Sequence, residues 1–109
     1  MTVDFSLDGT PFTAINGGAQ FTFSEAVSLL IDCADQAEVD HYWDTLTEGG
    51  EAGPCGWLKD RFGFSWAGLS RRTGRVAQRP GPGRAERAFD AMFTMGKIDI
   101  AAVRTAADA

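Results

Sequence analysis

Val3-Asp4-Phe5-Ser6-Leu7-Asp8 alternates apolar and polar residues without a break, the period of two that marks a half-buried strand. Asp8-Gly9 is a turn pair and Phe12 to Asn16 reads as the returning strand. Residues 1–18 therefore predict a hairpin, closed by Gly17-Gly18. From Ala26 to Cys33 the pattern changes. Val27, Leu29, Leu30 and Ile31 form a nearly continuous apolar run, as expected of a strand covered on both faces. Asp35 followed by Glu38 has capping-box spacing. Behind it Val39, Tyr42, Trp43 and Leu46 recur at three- and four-residue intervals, one face of a helix that Gly49-Gly50 ends.

Cys55 to Lys59 and Phe64 to Leu69 predict a second hairpin, turning through Asp60-Arg61-Phe62-Gly63. Trp57, Phe62, Phe64 and Trp66 supply much of its apolar area. Ser70 to Gly83 breaks character: Arg71, Arg72, Arg75 and Arg79 precede Pro80-Gly81-Pro82-Gly83, and the end reads as a loop. Arg84 to Met95 is helical again, with Ala85, Ala88, Phe89 and Met92 as its buried stripe. Asp99 caps a short last helix through Ala107. The predicted order is ββ–β–α–ββ–α–α, an α+β chain with a hairpin at 1–18, a core at 26–69 and C-terminal helices at 84–107.

Composition narrows function more than fold. With 109 residues, 44% apolar and 23% charged, the chain has ordinary globular composition and room for one modest core. A net charge of −5 repels phosphate backbones, so nucleic acid is not an expected partner. The arginine group could bind a phosphate or carboxylate, but it lacks interleaved aromatics and reads as solvated surface. No apolar run approaches the roughly 20 residues of a membrane-spanning helix. Met1 to Phe5 also lacks the basic start of a signal peptide, so the expected location is the cytoplasm, with no membrane partner. Cys33 and Cys55 have no second pair to complete a metal cluster and read as reduced thiols.

Several stretches are distinctive as strings: Asp32-Cys33-Ala34-Asp35-Gln36-Ala37-Glu38-Val39-Asp40, Tyr42-Trp43-Asp44, Cys55-Gly56-Trp57-Leu58-Lys59-Asp60, Ser65-Trp66 and Lys97-Ile98-Asp99. With Phe12-Thr13-Ala14-Ile15-Asn16-Gly17-Gly18, they resemble the PhnB-like branch of the vicinal-oxygen-chelate superfamily, which includes glyoxalase I, bleomycin-resistance proteins and extradiol dioxygenases. The resemblance implies a βαβββ module, a curled sheet that pairs with a second module around a cleft. Ala26 to Leu69 matches one module, with one of its expected strands merged into the stretch before Cys55, while Val3 to Asn16 matches only the last two strands of the other. Either the chain is a shortened relative or Met1 is an internal methionine of a longer protein. A curled sheet without its partner strands exposes an edge and an apolar face, so a homodimer is expected to complete it.

The resemblance also implies where a divalent metal would sit: on His, Glu or Gln at inward-facing strand positions. The matching positions here are Phe12, Ala14 and Asn16, then Ala26, Ser28 and Leu30. The final acidic ligand falls on Ala67, where relatives of this branch usually carry Gln, and a methyl group cannot bind a metal. The lone His41, with Asp40, Asp44 and Glu48, has spacing that could gather a hard cation, but the Val39/Trp43/Leu46 stripe turns these groups to solvent. Cys55 could be a reactive thiol, yet only Lys59 nearby would lower its pKa, and a structural cysteine is the plainer reading. Relatives carry a ubiquinone-related methyltransferase label, but the glycines here lack the strand–Gly-rich-turn–helix arrangement of a nucleotide-like cofactor site.

The expectation is thus a binding module with no cofactor, no metal and no catalytic residues. It would hold a small apolar or aromatic molecule in a pocket containing Asn16, Ser28, Trp57 and Trp66. Core packing explains the two tryptophans as well, and hydrogen bonds at strand ends would explain Asn16 and Ser28. Two further readings stay open: a metal-dependent lyase, isomerase or dioxygenase with ligands from an absent segment, and an assembly domain without a ligand.

Overall fold

The computed structural model describes residues 1–70 and 81–109, with the side chains of all but Leu69 and Ser70. β1 (Thr2–Leu7) and β2 (Thr10–Ile15) form an antiparallel ribbon in which Val3 faces Ala14 and Phe5 faces Phe12. Asp8 (φ 48°) and Gly9 (φ 81°) both adopt the left-handed conformation of a two-residue loop whose twist matches the strands. One side of the ribbon is apolar except for Thr10, which pairs with Leu7, and on it Phe5 and Phe12 stack at 5.5 Å between ring centroids.

The second sheet has four strands in the order β3-β6-β5-β4: β3 (Ser28–Cys33), β4 (Glu51–Ala52), β5 (Trp57–Lys59) and β6 (Ser65–Ser70). β3 and β6 are parallel, so the chain between them must cross over, and α1 (Gln36–Thr47) makes that crossing. The two-residue β4 is a strand that the apolar pattern did not show; Gly53 and Pro54 end it at once. β3 differs from expectation in a more consequential way. It lies at the sheet edge, and Val27 and Leu30 are 65% and 64% exposed rather than covered on both faces.

Local signals built the turns and caps as expected. The Asp35 carboxylate accepts from the Glu38 N–H at 3.0 Å, and the Glu38 carboxylate accepts from the Ala34 N–H at 3.0 Å. Between β5 and β6, the Asp60 carboxylate accepts from the N–H groups of Phe62 and Phe64 and from Trp66 Nε1, so one side chain organises the whole turn.

The core joins Cys33 and Val39 to α2 (Arg84–Phe93) and α3 (Ile100–Asp108) through Ala88, Met92, Ile98, Ile100, Val103 and Ala107. The expected α2 stripe is corrected in part: Ala88 and Met92 are buried, whereas Ala85 and Phe89 are exposed. The helix is rotated so that Arg87 donates to the Ala107 carbonyl at the end of α3, which turns Ala85 and Phe89 outward. Asp99 caps α3 through the Ala102 N–H at 3.0 Å, as its position predicts. The Gln36 amide clamps the segment ahead of α3, donating to the Ile98 carbonyl and accepting from the Ile100 N–H, each at 2.9 Å. Arg71, Arg72, Arg75 and Arg79 lie outside the described residues.

Candidate functional site

Directly paired residues in neighbouring strands point to the same face of a sheet. The register pairs Glu51 with Lys59, Lys59 with Ser65, and Ser65 with Ser28. These four residues form a polar row across β4, β5, β6 and β3. The next row on that face is apolar, with Trp57 paired to Ala67 and Ala67 to Leu30. α1 packs against the opposite face, to which the buried Leu58 points.

A cavity of about 490 Å³ opens over one end of this polar row. Trp57, Lys59 and Ser65 line it from the sheet, with Glu25, Glu51, Cys55 and the Phe93 ring at the end of α2. That volume lies within the range of about 300–1,000 Å³ usual for small-molecule sites. Two backbone hydrogen bonds hold its floor to the C-terminal segment. The Cys55 N–H donates to Met95 O at 2.7 Å, and the Gly56 N–H donates to Gly96 O at 2.8 Å.

One of the two rim carboxylates is paired with a cation. Lys59 and Glu25 form an ion pair; that hydrogen bond holds the Glu25 carboxyl below its ordinary pKa and raises the Lys59 ammonium above its own. Burial raises the Cys55 thiol, and burial together with the Glu38, Asp32 and Asp35 carboxylates pushes Cys33 up to about 11. Both thiols are therefore neutral near pH 7 and poor nucleophiles.

Of the residues expected to share a pocket, Trp57 lines this cavity and Ser28 lies on the same face, paired with Ser65. Trp66 pairs with Leu58 and points to the opposite face. There it lines a second, open depression of about 750 Å³ with Leu29, Tyr42, Leu46, Leu7 and Phe12, between α1 and the ribbon. Asn16 follows β2, exposed, with its N–H donating to Met1 O at 3.0 Å. Sequence reasoning passed over Ser65, Lys59, Glu25, Glu51 and Phe93. The i, i+2 spacing of Ser65 to Ala67 signals a shared strand face, but nothing adjacent in the chain links Glu25 to Lys59.

The donors on this wall do not suit the divalent metal that the fold implies. Ala67 and Leu30 present hydrocarbon, and Lys59 stands between Glu51 and Ser65 in the row. Among the described residues no three His, Cys, Asp or Glu side chains converge. On α1, Asp40 already accepts from Gln36 Nε2 and Lys97 Nζ, each at 3.0 Å, while His41 packs edge-on against Tyr42.

The model of the 3-demethylubiquinone-9 3-methyltransferase family matches residues 1–67, more than half of the sequence. The chain belongs to this family. A solved structure described as a putative 3-demethylubiquinone-9 3-methyltransferase, PhnB protein, from Bacillus cereus is similar at 28% identity, with a TM-score of 0.58. The match covers 64% of this chain and 64% of that one, so the likeness spans less than two thirds of either. No match is found among curated proteins. The fold is the α+β glyoxalase/bleomycin-resistance type expected from the quoted strings. No helix among the described residues is long and apolar enough to cross a membrane.

Proposed function

We propose that this PhnB-like chain is a cytoplasmic, non-catalytic binding module that holds a small apolar or aromatic molecule against Trp57. The observation that carries this reading is the cavity itself: a space of about 490 Å³ with an indole on one side and the Phe93 ring on another. The neutral Cys55 thiol and the Lys59–Glu25 ion pair on its wall offer no activated nucleophile. The family description speaks of methyl transfer. Here β3 turns into α1 through Ala34 and Asp35, with no glycine to let a nucleotide-like donor approach the backbone.

A thermal-shift screen of small aromatic fragments tests the proposal. A fragment at a hundred times its Kd stabilises the folded state by about 2.7 kcal/mol, a shift on the order of 10 °C in a chain of this size. The same fragment should lose most of that effect on Trp57→Ala, which removes the indole wall. A screen without a single stabilising fragment would count against the reading, as would shifts that survive Trp57→Ala unchanged.

A second copy of the chain is the partner we propose. Val3, Phe5 and Leu7 on the apolar side of the ribbon are 53%, 43% and 40% exposed, and an isolated two-stranded ribbon is at best marginally stable in water. Among the described strands β3 is also a sheet edge, which invites pairing with another chain. Sedimentation equilibrium is expected to give twice the 11.7 kDa chain mass, and Phe5→Asp to return the monomer. A wild-type chain that sediments at 11.7 kDa at every concentration would remove the dimer.

A further inference from the structure

Ser65 is 1% exposed and lines the cavity, yet its hydroxyl has no hydrogen-bond partner among the described residues. A buried hydroxyl without a partner costs the fold free energy, and such groups are uncommon. Its neighbours in the row explain why it is left over. Lys59, directly opposite, is engaged by Glu25, and Ser28 lies one strand away in the parallel register. The hydroxyl therefore faces a space bounded by Trp57 and Phe93 with its bonding capacity unused.

The surrounding charge restricts what can bind there. Among the described residues, Glu25 and Glu51 bring two carboxylates to the wall against one ammonium, that of Lys59. An anionic ligand would meet a net negative rim, and the ammonium is already bonded to Glu25. A neutral ligand meets neither obstacle.

We infer that the Ser65 hydroxyl is the polar anchor for an uncharged ligand, an apolar or aromatic body bearing one hydroxyl or carbonyl oxygen, and that the site rejects carboxylates and phosphates of the same shape. This inference rests on the cavity being a ligand site and adds the chemistry by which it selects. The ligand oxygen and Ser65 Oγ share one hydrogen bond, while the body stacks on the indole of Trp57.

Three probes of matched shape test it on the full chain: toluene, benzyl alcohol and benzoate, with binding read from the chemical shifts of the Trp57 indole and the Ser65 amide. Benzyl alcohol is expected to bind about five times tighter than toluene, the contribution of one hydrogen bond. Benzoate should bind more weakly than either. Ser65→Ala should keep toluene affinity and abolish the alcohol's advantage. It should also melt no lower than wild type, because the methyl replaces a hydroxyl that had no partner. Equal binding of all three probes, or an alcohol preference that persists in Ser65→Ala, overturns the anchor but leaves the cavity a binding site. A Ser65→Ala chain that melts well below wild type also overturns the anchor, since the hydroxyl would then serve the fold. If none of the probes moves the Trp57 signal, the anchor and the cavity reading fall together.

Discussion

Replacing Gly50 with alanine is expected to destabilise the protein by about 3 kcal/mol or more, the upper end of what overpacking costs. A methyl there would lie 2.1 Å from the Lys59 carbonyl oxygen and 2.8 Å from the Asp60 carbonyl carbon. Both are backbone atoms, so no rotamer change relieves the contact. The strand after Gly50 would have to swing away from β5, breaking the pairing of Glu51 with Lys59 and Ala52 with Leu58. That pairing also forms one wall of the cavity, so fragment binding should weaken together with stability. Gly17→Ala is the matched control, because a methyl there meets nothing within 4 Å and its φ is not left-handed. Its cost should stay within about 0.5 kcal/mol. Urea unfolding of the two variants decides the matter, and an unchanged midpoint for Gly50→Ala would show that β4 is not held against β5.

Ile98→Ala should produce the other large loss, roughly 2–5 kcal/mol, against a total stability of about 5–15 kcal/mol for a protein of ordinary size. Ile98 is fully buried, and its carbonyl is held by the Gln36 side chain. It also packs so closely on Gly56 that a methyl on that glycine would come within 2.9 Å of Ile98 Cγ1. Truncation opens a cavity where the C-terminal segment meets the β5 end of the sheet. The hydrogen bonds from Cys55 to Met95 and from Gly56 to Gly96 should weaken with it. Hydrogen exchange at the Cys55 and Gly56 amides measures this directly, and both should lose protection in parallel with the loss of global stability. A loss under about 1 kcal/mol with protection intact would mean that α2 and α3 unfold as a unit separate from the sheet.

The site bears on stability as well as on binding. Glu51 and Lys59 belong both to the β4–β5 pairing and to the rim charge, and Cys55 and Gly56 tie the cavity floor to the core around Ile98. The Ser65 hydroxyl, which has no partner among the described residues, runs the other way, because it weakens the free protein and gains a bond when the cavity is filled. Free energy of this kind concentrates at places where a protein binds something.

What the sequence by itself determined lies within four or five residues of its cause. Asp8-Gly9 specifies the tight turn, Asp35 with Glu38 the start of α1, and Asp99 the start of α3, because each signal is a side chain or glycine acting on its own stretch of backbone. The family strings carried the fold beyond that, since they had been written by the same packing in related chains. Tertiary structure alone decided the rest. An apolar run such as Leu29-Leu30-Ile31 does not distinguish a central strand from an edge, because that depends on what pairs beside it, and here nothing described lies beyond β3. The buried side of α2 followed the carbonyl of Ala107, twenty residues from Arg87. Trp57 and Trp66 went to opposite faces because the register sets Leu58 against Trp66. Ser65 became the anchor only when folding brought Glu25 to Lys59, 34 residues apart in the chain, and left the hydroxyl beside them without a bond among the described residues.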